Sequence, residues 1–186
     1  MTELNGFIES LLPDPRLALW LAPCSALYAW AAAVIAGRLR TQREVRAPYT
    51  RKFFHFTIFT AASVVHLSWD LQGVVVFGGV VTAGVLVAVA RADASPLYRA
   101  LARPTDAPHR TLFILVPLAT TALGGLTSNL LFPQTAAIGY LVAGWGDAVG
   151  EPVGARWGRH RYRVPSLAGV RAMRSLEGSA AVLVCG

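Results

Sequence analysis

The sequence predicts an all-α protein: a polytopic bundle of transmembrane helices with about five full spans, a partial sixth, and the N-terminus outside. Three observations lead to this prediction. The 186 residues are 54% hydrophobic and only 15% charged, whereas soluble domains carry about 25% charged residues. The apolar residues form runs about as long as a bilayer-spanning helix. The basic residues gather in alternate connections between those runs.

A transmembrane helix needs about 20 predominantly apolar residues. We expect five such spans and a shorter sixth run within one integral membrane domain, residues 1–186. The six runs cover residues 17–37, 53–69, 73–90, 111–132, 135–153 and 179–186. The last run is too short to cross a bilayer, so the chain ends partway into a span or is a fragment. The first run follows acidic residues and has no clear cleavage site, which favours a span over a signal peptide.

The basic residues define the predicted orientation. Sixteen of the 17 Lys and Arg residues fall in three connections, 38–52, 91–110 and 156–178, and the exception is Arg16. Cytoplasmic loops of membrane proteins are rich in Lys and Arg, so these three loops are predicted to be cytoplasmic. The same distribution argues against a nucleic-acid-binding protein, because the charge follows topology rather than one face.

Two carboxylates stand near the predicted cytoplasmic end of the fifth span. Asp147 and Glu151 are four residues apart, so they share one face of a helix. A carboxylate near a membrane is costly and usually faces a bundle interior or a polar cavity. Mg²⁺ commonly binds one or two carboxylates together with substrate phosphates, so both residues are predicted metal ligands. The alternative is a pair of acids held in salt bridges by the arginines that follow.

Three glycines form a stripe beside these carboxylates. Gly146, Gly150 and Gly154 repeat every four residues, and small residues at this spacing let another helix approach closely. Packing is the favoured interpretation, although the stripe would also leave a thin wall for a nucleotide. Pro152 cannot donate a hydrogen bond to the Ala148 carbonyl, so a kink or a helix end is expected there.

The loop after this helix has features of a phosphate site. Ser175 and Glu177 precede an apolar run, which is typical of a helix N-terminus. Such a terminus offers N–H groups and a favourable dipole to phosphate, and Arg174 would add a bidentate donor. Carboxylates, a metal, cations and phosphate together indicate phosphoryl or nucleotidyl transfer. The sequence has no Walker A loop and no protein-kinase signature.

Two segments resemble the polyprenol kinase family, which includes dolichol kinases, phytol and farnesol kinases and a CTP-using diacylglycerol kinase. One is "GDAVGEPVGARWGRHRY" followed by "RSLEGSAA", and the other is "RKFFH" at 51–55. The residues that match the family's nucleotide-binding pattern are Asp147, Gly150, Gly154, Arg156, Gly158, Arg159, Arg174, Ser175, Glu177, Gly178 and Ser179. The resemblance extends from about Arg51 to the end of the chain.

The resemblance implies a phosphotransferase that moves a phosphoryl group to a lipid alcohol such as a polyprenol, dolichol or phytol. CTP would be the donor and Mg²⁺ or another divalent metal the cofactor. Asp147 would bind the metal or nucleotide, and the other matched residues would form the nucleotide site. Arg51, Lys52 and His55 lie within about one helical turn, so they can converge on substrate phosphate or hydroxyl. Positioning is the favoured role for His55, which could also act as general base.

Two alternatives remain open. A CDP-diacylglycerol synthase-type phosphatidate cytidylyltransferase also combines a Gly-Asp segment with a Lys-Thr-x-Glu-Gly segment, although the RKFFH match favours a kinase. A non-catalytic or truncated membrane protein is the alternative of another class, supported by the short sixth run. The expected partners are the lipid alcohol, the nucleotide and membrane lipids, with no nucleic acid. Several alcohols suit the apolar bundle equally, and the oligomeric state is open.

Overall fold

Long helices dominate the structure, a computed structural model that describes residues 6–9, 11–170 and 172–186. The helices are α1 (Pro15–Thr41), α2 (Ala47–Arg91), α3 (Pro96–Leu101), α4 (Leu112–Leu131), α5 (Ala136–Trp157) and α6 (Leu176–Cys185). Strands β1 (Arg161–Val164) and β2 (Ala172–Ser175) lie between α5 and α6, and short 3₁₀ turns cover Ala92–Ala94, Pro104–Asp106 and Leu167–Gly169. Arg171, counted above in the third basic loop, lies outside the described residues.

The apolar helices confirm the prediction of a mainly helical membrane protein. Within the described ranges, three helical stretches are long and apolar enough to cross a membrane: Pro15–Thr41, Ala47–Ala94 and Leu112–Leu131. Their outer faces are apolar, as Leu19 of α1 and Leu123 of α4 show with 80% and 65% exposure. Large exposed apolar surfaces of this kind are typical of contact with lipid. The number of spans and the orientation stay predictions.

Helix α2 consists of two helices joined by a sharp reversal. A straight helix of 45 residues would be about 68 Å long, more than twice the ~30 Å hydrocarbon core. Trp69 and Asp70 leave the helical conformation, and Asp70 has a φ of 49°, which few non-glycine residues adopt. We call residues 47–68 the first arm and residues 71–91 the second arm. The reversal falls at the connection expected between the second and third apolar runs.

The two arms run antiparallel, which brings the start of one beside the end of the other. Thr50 in the first arm donates a hydrogen bond from Oγ1 to the Ala100 carbonyl in α3, at 2.8 Å. Ala100 follows the second arm in the chain, so this contact closes the hairpin. Helix α1, both arms and α3 form most of the hydrophobic core, and Ile114 of α4 joins it. The core therefore fixes the start of the first arm, where Arg51, Lys52 and His55 lie.

A two-stranded antiparallel sheet occupies the loop predicted at 156–178, and the all-α prediction did not include it. The register runs from Arg161 opposite Ser175 to Val164 opposite Ala172. Each strand has only four residues: β1 alternates polar and apolar side chains over the shortest stretch that can indicate a strand, and β2 does not alternate. For this reason the sequence pattern did not indicate the hairpin.

Candidate active site

A buried lysine joins the first arm of α2 to the carboxylates of α5. Lys52 is only 6% exposed, and its Nζ lies 2.5 Å from Asp147 Oδ2 and 3.2 Å from Glu151 Oε2. As the four-residue spacing predicts, both carboxylates project from one face of α5. That face is turned toward the first arm. A buried ammonium is costly unless it is paired, so the two carboxylates hold Lys52 in place.

The two carboxylates have different surroundings. The Glu151 side chain is 12% exposed and uses both oxygens, Oε2 for Lys52 and Oε1 for Arg103 Nη1 at 3.0 Å. The Asp147 side chain is 49% exposed, and its contacts with Lys52 and His55 both use Oδ2. Among the described residues, Asp147 Oδ1 has no partner. Glu151 is thus an internal counter-ion, whereas Asp147 keeps one oxygen for a ligand.

Sequence reasoning missed Arg103 and Asp106, which complete this network. Arg103 Nε donates to Asp106 Oδ2 at 2.9 Å, and Asp106 is only 4% exposed. Burial lowers the pKa of Arg103. Its hydrogen bonds and charge interactions with Asp106 and Glu151 raise the pKa by more, so the pKa lies above its usual value. In the sequence, Arg103 counted only toward the basic loop. The signal that could have found the pair is R-P-T-D, with opposite charges three residues apart.

The RKFFH residues converge around Asp147, as their spacing predicts. His55 Nε2 lies 3.3 Å from Asp147 Oδ2, and the His55 ring stacks on Phe59 with the centroids 4.2 Å apart. Arg51 Nη1 is buried and has no hydrogen-bond partner in the described part of the chain. Two cations and one imidazole therefore surround the half-exposed carboxylate.

The buried network is close to electrically neutral. Its cations are Arg51, Lys52 and Arg103, and its carboxylates are Asp106, Asp147 and Glu151. A nucleoside triphosphate carries several negative charges, and a neutral network offers no net attraction to such an anion. If a triphosphate binds here, the additional positive charge must come from other arginines or from a metal ion.

The glycines of α5 allow α6 to approach closely, as the predicted packing motif requires. A Cβ on Gly150 would overlap Val182 Cγ2, and a Cβ on Gly154 would lie 2.9 Å from Ser175 Oγ. A Cβ on Gly158 would lie 2.6 Å from the same oxygen, and one on Gly178 would lie 2.7 Å from the Gly150 carbonyl oxygen. These four matched glycines therefore hold the start of α6 against α5.

Ser175 caps α6, which confirms the helix start predicted there. Its Oγ accepts a hydrogen bond from the Gly178 N–H at 3.1 Å. Glu177 Oε1 lies 2.8 Å from His160 Nδ1 and accepts from the His160 backbone N–H at 3.2 Å. The backbone N–H of Glu177 and the His160 side chain lower the pKa of Glu177 to about 2. Glu177 thus ties the base of the hairpin to α6 rather than lining a cavity.

The matched arginines occupy different positions. Arg174 of β2 lines a polar cavity, as does Arg161 of β1, which the sequence did not distinguish from other loop arginines. The Arg156 guanidinium lies 5.1 Å from the centre of the exposed Trp157 ring, and Arg159 is exposed. The structure therefore brings Arg174, but neither Arg156 nor Arg159, to the cavity wall.

Two cavities meet at Asp147. The polar cavity, about 610 Å³, lies between α5, the hairpin and α6, and its wall includes Glu151, Arg174 and Ser179. The apolar cavity, about 450 Å³, lies between the two arms of α2, α4 and α5, with Arg51 and His55 at one end. Asp147 lines both. One carboxylate therefore connects a site for polar ligands with a site for apolar ones.

The donor groups fit a metal that is completed by phosphate. In the described ranges, no group of three or more His, Cys, Asp or Glu side chains is arranged to hold a metal ion. Mg²⁺ needs fewer protein ligands, because phosphates and water supply the remainder. Asp147 fits this role through its free Oδ1 in the wall of the polar cavity. Glu151 fits less well, since Lys52 and Arg103 occupy both of its oxygens.

Comparison with curated proteins finds a similar kinase. The chain is 36% identical over 152 residues to a phytol kinase from Synechocystis sp., a match that covers 80% of this chain. The match covers 62% of that relative, so the chain spans less than two thirds of its length. No protein-family model and no solved structure matches the chain.

Proposed function

Because the chain belongs to the polyprenol kinase family, we propose that it phosphorylates a lipid alcohol, with CTP as donor, at the cytoplasmic face of a membrane. The observation that carries this proposal is the position of Asp147 in the walls of both cavities. Phosphoryl transfer requires the acceptor hydroxyl and the donor phosphate to be held together in a reactive geometry. A site where an apolar and a polar cavity meet supports that arrangement.

The apolar cavity supports binding of the lipid. Side chains of the two arms and α4 surround it with hydrocarbon, and Arg51, His55 and Asp147 lie in its wall. A lipid alcohol that binds with its tail among the helices would have its hydroxyl beside these three groups. Polyprenol, dolichol, phytol and similar alcohols share this form.

The polar cavity supports binding of the nucleotide. Arg161 and Arg174 contribute positive charge to its wall, and guanidinium groups bind phosphate with two parallel hydrogen bonds. The N-terminus of α6, capped by Ser175, adds a favourable dipole for anions. A Mg²⁺ ion held by Asp147 would supply the further charge that the neutral network lacks and would polarise the transferred phosphoryl group. The choice of CTP rests on the family resemblance.

In the proposed reaction the alcohol oxygen attacks the γ-phosphorus, and the bond from that phosphorus to the β–γ bridging oxygen breaks. The products are a lipid monophosphate and CDP. His55 Nε2 faces Asp147 Oδ2 at 3.3 Å, so Nδ1 is the nitrogen that would take the alcohol proton. Lys52 and Arg51 offset negative charge on the transferred group. Glu151 and Arg103 position Lys52.

The position of the transferred label tests this proposal. Nanodiscs that contain the full protein are incubated with phytol or another lipid alcohol, or with phosphatidate, and with CTP labelled at either the γ- or the α-phosphate. A kinase transfers only the γ-label to the lipid. Transfer of the α-label would instead identify a cytidylyltransferase, and transfer of neither label to any alcohol or to phosphatidate would favour a non-catalytic protein.

A further inference from the structure

The wall of the apolar cavity contains exposed residues at two places. Most of the lining residues are buried or half-buried, and five are exposed. One of the five is Asp147, where the apolar cavity meets the polar cavity. The other four lie on two helices that border the cavity: Gly79 on the second arm of α2, and Thr121, Ala122 and Leu126 on α4. The cavity therefore opens toward the polar cavity and also sideways, between the second arm and α4.

Helix α4 is anchored near its two ends. Within this helix, all of which the structure describes, the buried residues are Ile114 in the first turn and Asn129 in the last. Ile114 joins the hydrophobic core, and just before the helix Thr111 Oγ1 lies 2.9 Å from the Tyr98 hydroxyl. At the other end, Asn129 Nδ2 donates to the Tyr140 hydroxyl. The stretch between these anchors contains no buried residue, so the middle of α4 does not close the cavity.

The sideways opening lies on the side of α4 that borders the second arm. Toward α5, a Cβ on Gly125 would lie 3.5 Å from Tyr140 Cε1, which is an ordinary van der Waals contact. In the second arm, a Cβ on Gly78 or Gly79 would have no neighbour within 4 Å among the described residues. Both glycines line the cavity and belong to the apolar run at 73–90. The opening therefore lies at a level where the surroundings are lipid tails.

Two threonines offer hydroxyl groups near this opening. Thr82 and Thr121 line the cavity, and neither hydroxyl has a hydrogen-bond partner in the part of the chain that the structure describes. Other threonines of the same helices, such as Thr60 and Thr120, donate to the carbonyl four residues earlier. A hydroxyl without a partner is costly in hydrocarbon. An alcohol that passes between the two helices can pair with these hydroxyls.

We propose that the space between the second arm and the middle of α4 is the entrance through which the lipid alcohol passes from the membrane into the apolar cavity. We call this space the lateral entrance and define it by Gly79, Thr82, Thr121 and Ala122. The inference rests on the proposed function, because it takes the apolar cavity as the site of the alcohol. A tail that entered through the polar cavity would cross water, at a cost that rises with every methylene. Sideways entry keeps the tail in hydrocarbon and brings the hydroxyl to Asp147.

Bulky residues in the lateral entrance should slow binding and release of the alcohol alike. Gly79→Phe and Ala122→Phe each place a ring in the opening, so both rates should fall about tenfold or more. The Kd should stay unchanged, because a barrier on the path alters both rates equally. Gly84→Phe and Gly124→Phe are the matched controls, since both glycines are exposed on the same helices, have open space around them and lie outside the cavity wall. Their rates should equal those of the wild type.

Binding and release are followed by stopped-flow measurement of a fluorescent prenyl alcohol with the full protein in nanodiscs. The release rate does not depend on the amount of folded protein, so partial loss of folded protein does not imitate the effect. Phosphate transfer to a short, water-soluble prenyl alcohol is measured in parallel. This transfer should keep the wild-type rate, because a short alcohol can reach Asp147 through the polar cavity.

Wild-type exchange rates in both Gly79→Phe and Ala122→Phe would overturn the lateral entrance. A raised Kd would also overturn it, since the new side chains would then fill the site of the alcohol itself. A changed oligomeric mass of these variants in light scattering would instead identify the space as an interface between two copies of the chain. Slowed exchange in a protein that transfers no phosphate would support the entrance while refuting the kinase proposal.

Discussion

The buried ammonium of Lys52 gives the most quantitative test of the charged network. Lys52→Met keeps the apolar stem and removes the charge that lies 2.5 Å from Asp147 and 3.2 Å from Glu151. Removal of one partner from a buried ion pair costs about 3–5 kcal/mol. Glu151 keeps Arg103 and the Asp147 side chain is 49% exposed, so we expect the lower end, about 3 kcal/mol in the free energy of unfolding.

A second substitution separates stability from chemistry. Glu151→Gln in the Lys52→Met background removes one of the two carboxylates that lose Lys52 as a partner, so part of the lost stability should return, with a coupling energy of about 0.5–3 kcal/mol. Kinase activity should stay lost in this double variant, because the proposed reaction needs the ammonium near the transferred phosphate.

The free energy of unfolding is measured by denaturant titration in detergent micelles, followed by tryptophan fluorescence. Arg43→Met, which removes an exposed charge from the same predicted loop, is the matched control and should change stability by less than about 0.5 kcal/mol. The reasoning is refuted if Lys52→Met unfolds like the wild type, or if the double variant is no more stable than the single one.

Three further predictions concern packing, the nucleotide and orientation. Gly150→Val should destabilise the protein by about 1–3 kcal/mol in the same titration, because the side chain would overlap Val182. Gly84→Val is the control, because Gly84 has open space around it. Arg174→Ala should raise the KM for CTP about tenfold in steady-state assays, and Arg163→Ala, outside the cavity wall, should not. Single cysteines placed at 40–50 and at 160–170 should react with impermeant reagents only from the cytoplasmic side; external labelling at both would refute the orientation.

Apolar length and charge spacing made much of the fold predictable. Runs of about 20 apolar residues identified the helices, and the break between the runs at Asp70 and Gln72 indicated where the chain reverses. The β-hairpin was not predictable in this way, because β1 alternates polar and apolar residues over only four positions and β2 does not alternate. Its pairing with β2 also depends on contacts between residues distant in sequence.

The site was predictable where one helix carries the relevant residues. The four-residue spacing placed Asp147 and Glu151 on one face, and the turn from Arg51 to His55 placed those groups together. The contact between Arg103 and Glu151 was not predictable, since it spans 48 residues of chain and depends on the path of a loop. The different roles of Asp147 and Glu151 follow from that contact, because Arg103 occupies the Glu151 oxygen that a metal would need.

The cavities were beyond sequence reasoning for a related reason. Their walls combine residues from several separate elements, and most side chains that line the apolar cavity are apolar, like those that face lipid. Only the packing of α4 and α5 against the two arms distinguishes inner from outer faces. Tyr140 illustrates this, since its sequence position indicates an ordinary aromatic of a span, whereas the structure pairs it with Asn129.

Asp147→Asn tests the central claim most directly, because the account places this one carboxylate between the lipid and the nucleotide. The measurement is transfer of the γ-phosphate of labelled CTP to phytol by the full protein in nanodiscs, with Asp93→Asn, an exposed carboxylate paired with Arg110, as the control. The account predicts that Asp147→Asn abolishes transfer while expression, membrane insertion and binding of the alcohol persist, and that Asp93→Asn stays active. Full activity in Asp147→Asn would contradict it.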